Sequence, residues 1–295
     1  MNSKEPRLRI ALQKSGKLSE GSIELLNKCN FNLRVAKNHL LVKSDELNTD
    51  FLMVRDDDIP GFIDSGASDI GIVGENLFTE YNLTHKQHNV EIIARLKFAY
   101  CRLSIAANNG SGIKKLADLK DKTIATSYPA TLANFLHKNK IKANVIVMHG
   151  SVELAPRIGV ADAICDLVSS GTTLKENGLV EIHTVLESEA ILIGHKDLNK
   201  NIRSRVDELN FRFQSVIKAR GSKYIMLHID KKNVSKLKDI LPGCETPTTL
   251  ELHGNPNKVA VHVVSKEGVF WDTISKLKKI GASSILVVAI EKMMD

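Results

Sequence analysis

Short apolar runs of strand length recur along this chain, separated by segments whose apolar residues fall on one helical face, and this alternation leaves few folds open. LRIALQ (8–13) reads as a buried strand, KSGKL (14–18) as a polar turn, and SEGSIELLNKCN (19–30) as a helix with Ile23, Leu25, Leu26 and Cys29 on its apolar side. FLMVR (51–55) is a second strand. DDDIPGFIDSG (56–66) begins a helix with Pro60 near its first turn and stops at Gly66, and DIGIVG (69–74) is a third strand. Strands alternating with helices predict an α/β lobe with a mostly parallel sheet.

The logic repeats from about Cys101 to Thr184: RLSIAAN, a helix around KKLADL, the strand KTIATS, a helix from Pro129, then the strands NVIVMHG and DAICDLV. EIHTVLESEAILIGHK (181–196) supplies strands that return toward the first lobe, and NIRSRVDELNFRFQSVIKAR (201–220) a long amphipathic helix. A chain that crosses back between two lobes makes a hinged cleft. The end of the chain has its own order: strand YIMLHID, helix NVSKLKDIL, strands TTLELH and KVAVHVVS, helix VFWDTISKLKKIG and strand SSILVVAI. That is βαββαβ, a ferredoxin-like domain. The expected division is 1–99 with 185–222 as lobe I, 100–184 as lobe II, and 223–295 as the C-terminal domain.

A length of 295 residues with 43% hydrophobic side chains is enough for two or three such cores. No run approaches the roughly 20 apolar residues a membrane-spanning helix needs, and MNSKEPRLRIALQ lacks the apolar stretch of a secretory signal, so a cytoplasmic protein without a membrane role is expected. The 41 basic and 34 acidic residues are mixed along the chain. Nucleic-acid binding is not implied, and the net charge of +7 also suits phosphorylated substrates. Cys29, Cys101, Cys165 and Cys244 lie far apart without metal-ligand spacing, which favours reduced thiols.

The chemistry concentrates in SVELAPRIGVADAICDLVSSGTTL (151–174), where an apolar strand ends in Asp166 and gives way to Ser169, Ser170, Gly171, Thr172 and Thr173. Glycine lets the backbone approach an anion, and hydroxyls with helix N-terminal amides can cradle phosphate oxygens. The same loop composition also serves plain helix capping. The spacing of Glu153, Gly159, Ala161, Ile164, Asp166, Leu167, Val168, Ser170, Gly171, Thr173 and Leu174 resembles the signature of the ATP phosphoribosyltransferase family. LRIALQKSGKLS, VRDDDIPGFIDSG, DIGIVGENL, CRLSIA, IATSYP and SKYIM also resemble segments of that family, in the right order.

The resemblance implies a two-lobed catalytic region like a periplasmic binding protein, with the C-terminal regulatory domain of the long form. It implies that adenine N1 of ATP is joined to C1 of phosphoribosyl pyrophosphate, giving phosphoribosyl-ATP and pyrophosphate, with Mg2+ held mainly by substrate phosphates. Glu153 and Asp166 would then face the ribose and its developing positive charge, and Ser169 through Thr173 the 5′-phosphate. Asp162 and His149 lie in or beside the same stretch. Lys14 and Lys17 are expected at the polyphosphate; many relatives carry Arg at the second position, and lysine lacks its bidentate fork.

Arg55, at the end of FLMVR, and Glu75 and Asn76, after DIGIVG, sit at strand ends where open α/β sheets bind ligands, and are nucleotide candidates. Asp56, Asp57 and Asp58 read as a helix-capping run. Ser127 and Tyr128 precede the helix at Pro129, a second potential anion or nucleotide site, or else a cap, a packed tyrosine or a hinge. By resemblance, the C-terminal domain binds histidine as a feedback inhibitor, with Asp230, Thr246, Thr248 and Ser284 as candidate contacts, and the chain forms a homo-oligomer, dimer and hexamer. The competing expectation is a non-catalytic binding protein built on the same cleft, which would not explain two acids beside a Ser-Gly-Thr loop.

Overall fold

The structure, a computed structural model, describes residues 6–34, 39–45, 47–241, 247–266 and 271–294. It divides into two compact units, Met1–Asn210 and Phe211–Asp295. The first unit holds two sheets. β1 (Leu8–Gln13), β2 (Leu41–Ser44), β3 (Thr49–Val54), β4 (Ile70–Gly74) and β5 (Val90–Arg95) belong to one, with α1 (Lys17–Lys28), α2 (Ile59–Asp64) and α3 (Glu75–Thr84). β6 (Cys101–Asn108), β7 (Thr123–Thr126), β8 (Asn144–Val147), β9 (Ala163–Val168) and β10 (Leu179–Ser188) form the other, with α4 (Pro129–Lys138) and α5 (Thr172–Glu176). β11 (Ala190–His195) returns to the first sheet, giving the orders β2-β3-β1-β4-β11-β5 and β10-β6-β9-β7-β8.

The sheets are mixed rather than mostly parallel. β1 runs parallel to β3 and β4, and β7 to β8 and β9. The strands that carry the chain between sheets run the other way: β6 is antiparallel to β9 and β10, and β11 to β4 and β5. Of the strands expected to return, only β11 does so, because β10 pairs with β6 along its length to Ser188.

β9 shows why its sequence is continuously apolar. Ala163 and Cys165 pack with Leu103, Ile105 and Leu132 on the α4 side, while Ile164 and Val168 pack with Ala106, Ala125 and Leu174 on the other. In the first sheet Phe51 is fully buried with the Phe31 ring edge-on at 5.8 Å, a burial worth about 1.5–3 kcal/mol. Gly21 is a close-approach glycine: a Cβ there would lie 2.5 Å from the Phe98 ring, so no larger residue lets α1 sit against the crossing between β5 and β6.

α6 (Lys200–Ala219) leads to β12 (Ser222–Asp230), α7 (Leu237–Ile240), β13 (Thr248–Leu252), β14 (Asn255–Lys266), α8 (Trp271–Lys279) and β15 (Ser283–Ala289). Their order β13-β14-β12-β15, antiparallel throughout, is the ferredoxin-like arrangement. Ile225, Leu227 and Ile229 alternate inward on β12, facing Leu237, Leu241 and Leu277. Thr246 and Cys244 lie outside the described residues.

Candidate active site

Asp166, expected to end its strand, stands two residues before the last residue of β9, Val168, because Leu167 and Val168 still pair with β6; the chain then passes through the loop to α5. Gly171 takes φ +81 there, a left-handed conformation open to glycine at no steric cost, and no side chain caps the helix. Ser169, Ser170, Thr172 and Thr173 are exposed, with the Ser170 and Thr172 hydroxyls 2.9 Å apart. The loop therefore presents a ring of small donors. Glu153 reaches the same place from a 3-10 turn, Val152–Leu154, entered through Gly150 and Ser151, both at positive φ.

Burial pushes the Asp166 carboxyl above the ordinary carboxylate range, and the charge of neighbouring Glu153 pushes it further, while the Leu167 N–H, donating at 2.8 Å, opposes both. The structure thus brings the two acids within electrostatic reach of each other, Asp166 lying on the strand that runs into the loop. Asp162 stands apart from them: it accepts from the Thr123 N–H at 2.8 Å and pairs with Lys122 at 3.6 Å, a strand-entry role.

Lys14 and Lys17 are exposed around Gly16, at the end of β1 and the start of α1. The Gln13 side chain donates to Asp56 at 3.0 Å, tying that turn to the end of β3. Arg55 is exposed and grips Asp57 through two bonds of 3.1 and 2.9 Å. Glu75 is held by Arg95, which also reaches Glu189 at 3.1 Å. Asn76 and Tyr128 are buried: Asn76 donates to the Tyr128 hydroxyl at 2.9 Å and accepts from Ser188 at 2.8 Å. The Ser127 hydroxyl donates to the Met148 carbonyl at 2.7 Å.

A cavity of about 390 Å³ opens between the two sheets, lined by Glu75, Arg95, Tyr100, Cys101, Arg102, Ser169, Glu187, Ser188 and Glu189. Arg102 is a residue the sequence reading passed over. Its guanidinium meets Glu181 through two bonds of 2.6 Å and donates to the Ser169 carbonyl at 3.4 Å, and it holds the Glu181 carboxyl below the ordinary range. The signal available was its place in the segment CRLSIA. Glu181 sits at a register shift of β10, a bulge of the kind that re-aims a side chain.

In the C-terminal unit, Asp230 ends β12 half-buried, Ser284 is exposed at φ +50 on β15, and Thr248 is exposed on β13. Thr248 pairs across to His262, which pairs to Met226, so it stands four positions along from Asp230 and two strands away.

The sequence profile described as "HisG: ATP phosphoribosyltransferase" matches residues 55–215, and "HisG, C-terminal domain" matches residues 219–292. The chain belongs to the ATP phosphoribosyltransferase family. Among solved structures it is similar to the ATP phosphoribosyl transferase (HisG:HisZ) complex from Thermotoga maritima, at 26% identity and a TM-score of 0.60, over 72% of this chain and 98% of that one. The alkanesulfonate-binding protein SsuA from Xanthomonas axonopodis pv. citri also aligns, at 13% identity and a TM-score of 0.49, over 72% of this chain and 73% of that one. As a family member the chain is a pentosyltransferase of histidine biosynthesis whose substrates are ATP and phosphoribosyl pyrophosphate; such enzymes are generally magnesium-dependent. Among the described residues no helix is long and apolar enough to cross a membrane.

Proposed function

We propose that phosphoribosyl pyrophosphate binds with its 5′-phosphate in the loop Ser169–Thr173 and its ribose against Glu153 and Asp166. The observation that carries this is the convergence of two carboxylates and a donor-rich loop at one end of β9. The adenine N1 lone pair attacks C1 as the bond from C1 to the pyrophosphate oxygen breaks, and that bond's electron pair leaves with pyrophosphate. Positive charge grows on the ribose ring between these events, and fixed carboxylates stabilise it. N1 needs no base to attack.

The carboxylates of Asp166 and Glu153 offer oxygen ligands, which fits magnesium held by one or two carboxylates and mainly by substrate phosphates; those two residues would hold it. When bound, the ion neutralises the leaving pyrophosphate. Lys14 and Lys17 take polyphosphate, with Arg55, Glu75 and Ser127 along the nucleotide path and Asn76 and Tyr128 supporting it from beneath. The first sheet, with residues 1–99 and 189–222, and the second, with residues 100–188 because β10 pairs with β6 as far as Ser188, act as catalytic lobes. Residues 223–295 bind histidine through Asp230, Thr248 and Ser284 and inhibit. The protein works as a homo-oligomer, dimer and hexamer, in the cytoplasm where both substrates are made.

Gly171→Ala tests the loop. Alanine at φ +81 costs about 1–2 kcal/mol of local strain, its Cβ meeting a Val168 methyl at an ordinary 3.9 Å, so phosphoribosyl pyrophosphate should bind about tenfold more weakly by calorimetry while ATP binding holds. Unchanged binding of phosphoribosyl pyrophosphate would remove the loop from the site.

A further inference from the structure

α4 begins at Pro129 with no cap of its own, yet its first free amides are satisfied. The Ala130 N–H donates at 2.7 Å to one carboxylate oxygen of Glu80, and the Thr131 N–H at 2.8 Å and the Thr131 hydroxyl at 2.6 Å donate to the other. Glu80 belongs to α3, which follows β4 of the first sheet, whereas α4 packs on the second. The first amides of α4, at Ala130 and Thr131, are therefore occupied by a side chain of the other lobe.

The grip has more than one rung. Asn76, one turn before Glu80 on α3 and hence on the same face, bonds the Tyr128 hydroxyl and Ser188, the last residue of β10 before the chain crosses. Leu77 packs against the apolar clusters of both sheets. Asn76 and Glu80 of α3 thus hold the corner Tyr128–Thr131, and Leu77 between them packs against the core of the second sheet. A carboxylate accepting three donors at a helix N-terminus is a charge-assisted arrangement, favourable without any cation.

We propose that Glu80 is a positioning residue that holds the two lobes in the substrate-competent arrangement of the cleft. This rests on the cleft being the substrate site. Removing the latch lowers the fraction of molecules in that arrangement, so apparent affinity falls by that fraction, while saturating substrate restores the arrangement and with it the turnover. A helix cap of purely local effect would lower melting temperature and leave KM alone.

The test compares wild type with Glu80→Ala and with Glu80→Gln, which keeps one acceptor. KM for both substrates should rise at least fivefold in Glu80→Ala, and less in Glu80→Gln, with kcat within twofold. A second arm needs no turnover: hydrogen exchange of the same proteins, alone and with ATP. Faster exchange should reach both residues 128–132 and the crossing at 186–190, and ATP should slow it again. KM values within twofold of wild type, or faster exchange confined to the first turn of α4, would overturn the latch. An inactive wild type would refute the functional reading instead, and the exchange arm would still decide this one.

Discussion

Replacing Asp166 with Asn should make the protein more stable and far less active. The carboxyl is raised above its unfolded value of about 3.8 mainly by burial, so its ionised form costs the fold stability. Below pH 3.8 the group is neutral in both states and costs nothing; as pH rises from 3.8 to the higher folded value the unfolded chain ionises first and stability falls, and above the folded value the loss is complete. Asparagine keeps the shape and never ionises. Burying a poorly compensated polar group costs about 1–3 kcal/mol, and each kcal/mol moves Tm by about 2–4 °C in a domain of this size, so Asp166→Asn should melt at least about 2 °C higher at pH 7. The gap should close toward pH 4. Activity should move oppositely, since loss of one electrostatic contact to a transition state costs about 10²–10³ in kcat. Calorimetry at pH 7 and pH 4, with turnover followed by absorbance, reads both. An unchanged or lower Tm at pH 7 together with intact kcat would refute the reasoning.

Glu181→Gln should raise KM for phosphoribosyl pyrophosphate about three- to fivefold and leave that for ATP unchanged, because Arg102 loses the partner that aims it at Ser169; steady-state kinetics with each substrate varied checks this. The Glu181 carboxyl is lowered, so its stabilisation is present above the unfolded value near 4.5 and fades as pH falls through the folded one; the Tm difference between wild type and variant should shrink in acid. Gly71→Ala places a Cβ 2.7 Å from an Ile59 methyl and 3.1 Å from the Ala11 carbonyl, an overpacking worth about 1–3 kcal/mol, visible as a lower Tm with kcat of the folded fraction unchanged.

The parts of the fold legible in the sequence are those whose burial is simple. β9 is apolar on both faces and so reads as a strand wherever it stands, and Asp166 lies close in sequence to the small-residue loop that follows the strand. α3 was not legible as a helix. Its face toward α4 carries Asn76 and Glu80, polar residues that make cross-lobe hydrogen bonds, and the apolar stripe that would announce a helix is broken there. Arg102 and Glu181 stand 79 positions apart and meet only because β6 pairs with β10. Asn76 looked like an open strand-end position and Tyr128 like either a nucleotide site or a packed tyrosine, and nothing local records that Asn76 donates to the Tyr128 hydroxyl. Asp56 read as one of three capping acids, whereas its partner Gln13 lies in another strand.

The most direct test of the central claim is to mix the protein with ATP, phosphoribosyl pyrophosphate and magnesium and follow phosphoribosyl-ATP by its ultraviolet absorbance, with and without histidine. The account predicts product that depends on both substrates and is suppressed by histidine. Product indifferent to histidine would contradict the regulatory role of the C-terminal unit, and no product from folded protein would contradict the catalytic assignment itself.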